Sequence, residues 1–93
     1  GEEGVKVNPA RDEFLATWVN NYYGNVPINS TITDPVTGLT STAQYCAMVR
    51  AFHDAGVNGN VASQLIQNLY AADTMDEFNA AATEFLRVLQ NGR

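Results

Sequence analysis

Four stretches of this chain carry apolar residues at helical spacing, and each stands behind a residue suited to cap a helix. In the first, Phe14, Leu15, Trp18, Val19 and Tyr22 fall on one arc of about 140°. Asn8 caps it, Pro9 takes the first helical position, and Asp12 and Glu13 sit where the helix dipole favours acids. Gly24 ends it. The second stretch aligns Tyr45, Met48, Val49, Phe52 and Ala55 behind a Ser41–Gln44 capping box, and Gly56 stops it with Val57 placed for the accompanying apolar contact. The third, capped by Asn60, aligns Val61, Ala62, Leu65, Ile66, Leu69 and Tyr70. Its other face is Ser63, Gln64, Gln67 and Asn68, polar and uncharged. The fourth follows a Thr74–Glu77 capping box, buries Met75, Phe78, Ala82, Phe85, Leu86 and Leu89, and closes at Gly92. Helices are expected near 9–23, 42–55, 61–72 and 75–90, around a core of Phe14, Trp18, Phe52, Leu65, Leu69, Phe78, Phe85 and Leu89.

The pattern breaks at residues 24–40, where two Pro, two Gly and many β-branched residues forbid a helix. An irregular loop pinned by Val26, Ile28 and Ile32 is expected. The alternative is a short hairpin about the Asp34–Gly38 turn, with Thr31–Thr33 facing Leu39–Ser41. Short connections at 56–60 and 73–74 make the last three helices sequential neighbours. The expected fold class is all-α: a compact four-helix domain with a long irregular loop, or short hairpin, between helices 1 and 2. Residues 1–7 read as a flexible lead-in, and residues 8–93 as a single domain.

Ninety-three residues make one domain, and 45% apolar content is too high for disorder. No run approaches the ~20 apolar residues of a membrane span, so membrane insertion is not expected. Net charge is −5, and Lys6, Arg11, Arg50, Arg87 and Arg93 are scattered. Binding to nucleic acid or to anionic membranes needs clustered cations and is disfavoured. Charged residues are few, so the polar surface falls to uncharged groups, ten Asn and eight Thr among them. That composition slightly favours an extracytoplasmic setting. The chain begins with Gly1, as a processed chain or a fragment would.

Chemistry-bearing residues are sparse. One Cys and one His exclude a disulfide framework and a multi-ligand metal centre, so no metal or cofactor is expected. His53 has Asp54 beside it, but adjacent helical residues point about 100° apart. Cys46 lies about 10.5 Å from His53 along a helix, too far for a dyad. Arg50 stands one turn from Cys46, where it would favour a thiolate; burial of Cys46 as a small hydrophobe is the simpler reading. Asp73, Asp76 and Glu77 read as acids completing a helix start.

Phe52-His53-Asp54, Val57-Asn58-Gly59 and Ala62-Ser63 together resemble the distal segment of plant-type haem peroxidases. There the His is the peroxide acid–base catalyst, and the Asp and Gly bind calcium. Here Arg50 stands three residues before His53 rather than four. Ala55 and Asn60 replace the motif's cysteines, Val61 replaces its second calcium-binding Asp, and no second His exists to hold haem. Neither haem nor calcium is carried over.

The expected function is therefore a non-enzymatic protein-interaction or assembly module, binding a protein partner or a second copy of itself. Its candidate contact surface is the long loop, with Tyr23, Val26, Ile28, Ile32 and Val36. A small helical carrier of an apolar ligand is the alternative.

Overall fold

The computed structural model describes residues 2–92. Helix α1 (Glu2–Tyr23) leads to a hairpin of β1 (Thr31–Thr33) and β2 (Thr40–Thr42). Helices α2 (Ala43–Asp54), α3 (Gly59–Ala71) and α4 (Met75–Asn91) follow. α1 packs on α2, α2 on α3, α3 on α4, and α4 returns to α1, so the helices close a ring around one core. The fold is mostly helical with a small two-stranded sheet, rather than strictly all-α.

An aromatic cluster fills the centre. Phe52 and Phe85 are almost wholly buried, with ring centroids 4.6 Å apart. Phe14 meets Phe85 at 5.3 Å and Phe78 at 5.9 Å, edge to face in both cases. Edge-to-face pairs gain about 0.5–1.5 kcal/mol beyond the burial itself. Leu65 and Leu69 are buried as expected, whereas Phe14, Trp18 and Leu89 pack on the core from its margin. Val61, Tyr70 and Leu86, also expected inside, stand at the edges of their apolar arcs and are exposed.

α1 begins ahead of the start expected at Pro9. Residues 2–7 belong to this helix, and Pro9 lies within it. Asn8 is not the cap; its Oδ1 accepts from Arg11 at 3.4 Å. An interior Pro costs about 3 kcal/mol. Burial of Val7, 1% exposed in the main core, offsets about 1.5–3 of that. Arg11 also donates to the Ala72 carbonyl at 3.2 Å, tying α1 to the end of α3.

The caps divide between expectation and correction. Thr74 accepts from the Glu77 N–H, and the Glu77 carboxylate accepts in return, forming the expected capping box. Gly56 turns with φ +75°, while its N–H and that of Val57 donate to the His53 and Phe52 carbonyls, closing α2 as expected. α3 is capped by Asn58 rather than Asn60: its Oδ1 accepts from the Asn60 N–H at 2.8 Å. α2 is capped by Thr42, whose Oγ1 accepts from the Tyr45 N–H, rather than by a Ser41–Gln44 box; Thr42 is at once the last residue of β2 and the cap of α2.

Residues 24–40 combine irregular turns with a short hairpin. The antiparallel hairpin pairs Thr31 with Thr42 and Thr33 with Thr40, one residue out of the register expected. The first two N–H groups of α2, on Ala43 and Gln44, donate to the Ser30 and Ile28 carbonyls. These donors have no partner within their own helix, so the helix start orders the loop before it.

Candidate functional site

The hairpin rests on α2 in two ways, one apolar and one polar. On one side Val26, Ile28, Ile32, Tyr22 and Tyr23 pack on buried Val19, Ala43 and Ala47. On the other, the turn after β1 folds around Asp34, whose side chain is fully buried. Its Oδ1 accepts the N–H groups of Val36 and Thr37 at 2.7 and 2.8 Å. Its Oδ2 accepts the Tyr23 hydroxyl at 2.6 Å and the Arg50 guanidinium at 3.2 Å.

Burial alone would raise the Asp34 carboxyl. Hydrogen bonds from Tyr23, from the Thr37 and Val36 N–H groups and from Arg50 outweigh it, and hold the group far below the usual carboxylate range. Tyr23 moves the other way. Burial, then its bond to the Asp34 carboxylate, push the phenol well above its ordinary value. Arg50 also reaches Asp54 at 3.1 Å and lies 5.2 Å over the Tyr22 ring. One carboxylate thus joins α1, α2 and the hairpin turn.

Between the turn, α2 and the start of α3 runs a groove of about 490 Å³. Val36 and Leu39 form one wall, and Tyr45, Val49 and Phe52 of α2 form the floor. Val57, Ala62 and Ile66 form the far side, with His53 as its one titratable histidine or carboxylic group. Val36 is 50% exposed at the lip.

The structure separates the five residues of the expected contact surface. Val26, Ile28 and Ile32 are half-buried against the small apolar cluster, and Tyr23 is engaged with Asp34. Val36 alone reaches the groove. The sequence places Tyr45 and Val49 on the apolar face of α2 but gives no sign of the groove they floor. Asp34 was legible only as a turn former. Its partners lie 11 and 16 residues away in sequence, and no local pattern joins them.

The other chemical candidates are accounted for. His53 Nδ1 does reach Asp54, at 3.3 Å, contrary to the argument from helical spacing. The His53 side chain is 56% exposed, however, and Asp54 is shared with Arg50. Cys46 is fully buried, with its thiol directed at the Leu39 and Ile32 carbonyls at 3.6 and 3.9 Å. Burial pushes that thiol up, away from a reactive thiolate. Glu77 is held by its capping box. Among the described residues, no three His, Cys, Asp or Glu side chains converge as metal ligands. No described helix is long and apolar enough to cross a membrane. Comparisons of the chain with protein-family models, with curated proteins and with solved structures give no match.

Proposed function

We propose that this chain is a non-enzymatic protein-interaction or assembly module whose contact surface is the groove between the hairpin turn and α2–α3. The observation that carries the reading is Val36. It is an aliphatic side chain held half in solvent, at the lip of a groove floored by further apolar groups. The turn that presents it is braced by a buried carboxylate, so little order is lost when a partner covers it. Replacing Val36 by the photoreactive benzoylphenylalanine tests this. A discrete protein cross-link from position 36, absent from the same label at Glu13, an exposed α1 residue outside the groove, supports the reading. Equal labelling at both positions refutes it.

The alternative is a carrier of a small apolar ligand, and one observation favours it. A volume of about 490 Å³ lies within the range of small-molecule sites. A native-state ligand stabilises by RT ln(1 + [L]/Kd), so the melting temperature rises with the logarithm of its concentration once that exceeds Kd. A single apolar compound that does so, and blocks the cross-link at position 36, would move the assignment to this reading.

A further inference from the structure

Two of the ten Asn precede a Gly: Asn58–Gly59 in the turn between α2 and α3, and Asn91–Gly92 at the end of α4. Glycine has no Cβ, so its nitrogen can close on the side chain before it with the least hindrance. Both Asn are exposed, so contact with solvent does not separate them. Backbone bonding does. Asn91 is helical, and the Gly92 N–H donates to the Val88 carbonyl at 2.9 Å. Gly59 opens α3, where an N–H has no acceptor within its own helix. Among the described residues nothing else accepts it. Asn58 stands outside the helix with ψ 138°, and its Oδ1 accepts from the Asn60 N–H at 2.8 Å and the Val61 N–H at 3.4 Å. Those two donors face the oxygen on which charge collects when Cγ is attacked.

We propose that Asn58 is a self-modifying site, deamidating through a cyclic imide with Gly59 in the folded protein while Asn91 is spared. The Gly59 nitrogen gives its proton to solvent and attacks Cγ of Asn58. The new N–C bond closes a five-membered succinimide as the Cγ–Nδ2 bond breaks, and Nδ2 leaves as ammonia with a proton from water. Water then opens the ring at either carbonyl, giving an aspartyl or an isoaspartyl residue. At Asn58 ring closure disturbs a side-chain cap; at Asn91 it would break a backbone bond of α4. The aspartyl product adds one negative charge to the −5 of the sequence. It also keeps a good cap, so the converted chain stays folded. The reaction does not depend on what the groove binds.

The test holds the folded chain at mildly alkaline pH and follows both sites by peptide mass spectrometry, with electron-transfer fragmentation to tell aspartate from isoaspartate. Position 58 is expected to convert about tenfold faster than position 91, a barrier difference of about 1.4 kcal/mol. In urea, where neither backbone is held, the two rates should converge. A ratio that persists in urea comes from local sequence and overturns the proposal. Isoaspartate beside aspartate at position 58 marks the ring; aspartate alone marks direct hydrolysis and overturns it too. Gly59→Ala sets a Cβ where no atom lies within 4 Å, at a helix start that favours Ala over Gly, so the fold is kept. It should slow position 58 about tenfold, again about 1.4 kcal/mol, and leave position 91 unchanged. An intact amide at position 58, equal rates at the two sites of the folded chain, or a rate unmoved by Gly59→Ala overturns the proposal. Should that variant fail to fold, the comparison of the two sites in the unaltered chain decides.

Discussion

The two faces of α2 are held by opposite kinds of chemistry. On one face, Phe52 enters an aromatic cluster with Phe14, Phe78 and Phe85, drawn from three helices. On the other, Ala43 and Ala47 join Val19 as the buried residues of the second cluster, and Arg50 holds the buried Asp34 carboxylate. Apolar burial is additive and tolerant: many contacts share the load. A buried carboxylate is neither. It is stable only while each donor is in place, and loss of a donor leaves desolvation unanswered. The same helix thus anchors a robust core on one face and a conditional, polar-braced hairpin on the other. The groove proposed for binding lies between them.

The comparison breaks most visibly at Phe85. Phe85→Ala should cost about 3–5 kcal/mol, a large part of the stability of so small a domain. Urea denaturation would read this as a loss of the whole cooperative transition, hairpin included.

Asp34→Ala should cost about 2–3 kcal/mol, less than a fully buried ion pair, because Arg50 keeps Asp54 and some solvent. Amide exchange should locate the damage in residues 31–42 and spare α4. The carboxyl of Asp34 lies lower in the folded than in the unfolded chain, so its contribution is present above the unfolded value near ~3.9. It is lost as pH falls toward the folded value. Glu84, lowered by Arg87 on the surface, titrates in the same sense. Tyr23 has the opposite sign: its raised phenol contributes below the unfolded value near ~10 and the contribution fades as pH rises above it. Asp34→Asn should flatten the acid limb of a stability–pH curve. Tyr23→Phe should reduce the alkaline limb, which Tyr22 and Tyr70 share.

Gly38→Ala sharpens the contrast at smaller scale. Gly38 holds φ +77°, with no atom within contact distance of an added Cβ. The cost, about 1–2 kcal/mol, is therefore purely that of the backbone conformation. It should appear as faster exchange in the hairpin with little change in the aromatic core. Thr74→Ala should cost the least, about 1 kcal/mol, and fray only the first turn of α4. Circular dichroism with site-resolved exchange would separate the two.

Much of this fold was legible because its signals are local. Thr74 with Glu77, Gly56 with Val57, and the spacing of Phe78, Phe85 and Leu89 act within one or two turns. Helix starts, helix ends and apolar faces follow from backbone donors that need partners nearby and from the 3.6-residue period. The errors came where distant groups outbid local ones. Asn8-Pro9 carries a proper start signal, yet the core that receives Val7 extends α1 past it. Ser41 carries a cap signal, yet the helix starts one residue later, where Thr42 ends the strand that pairs with β1. Asp34 looked like a turn former, and it is one. Its burial, its pairing with Arg50 and its hold on Tyr23 exist only once α1 and α2 stand side by side. The sequence by itself determined which segments become helices and which residues seek the interior, since both are set by chain geometry and solvent aversion. Tertiary structure alone decided that a charged side chain is buried and that Tyr45 and Val49 floor an open groove, because both depend on donors and surfaces contributed by residues far apart in the chain.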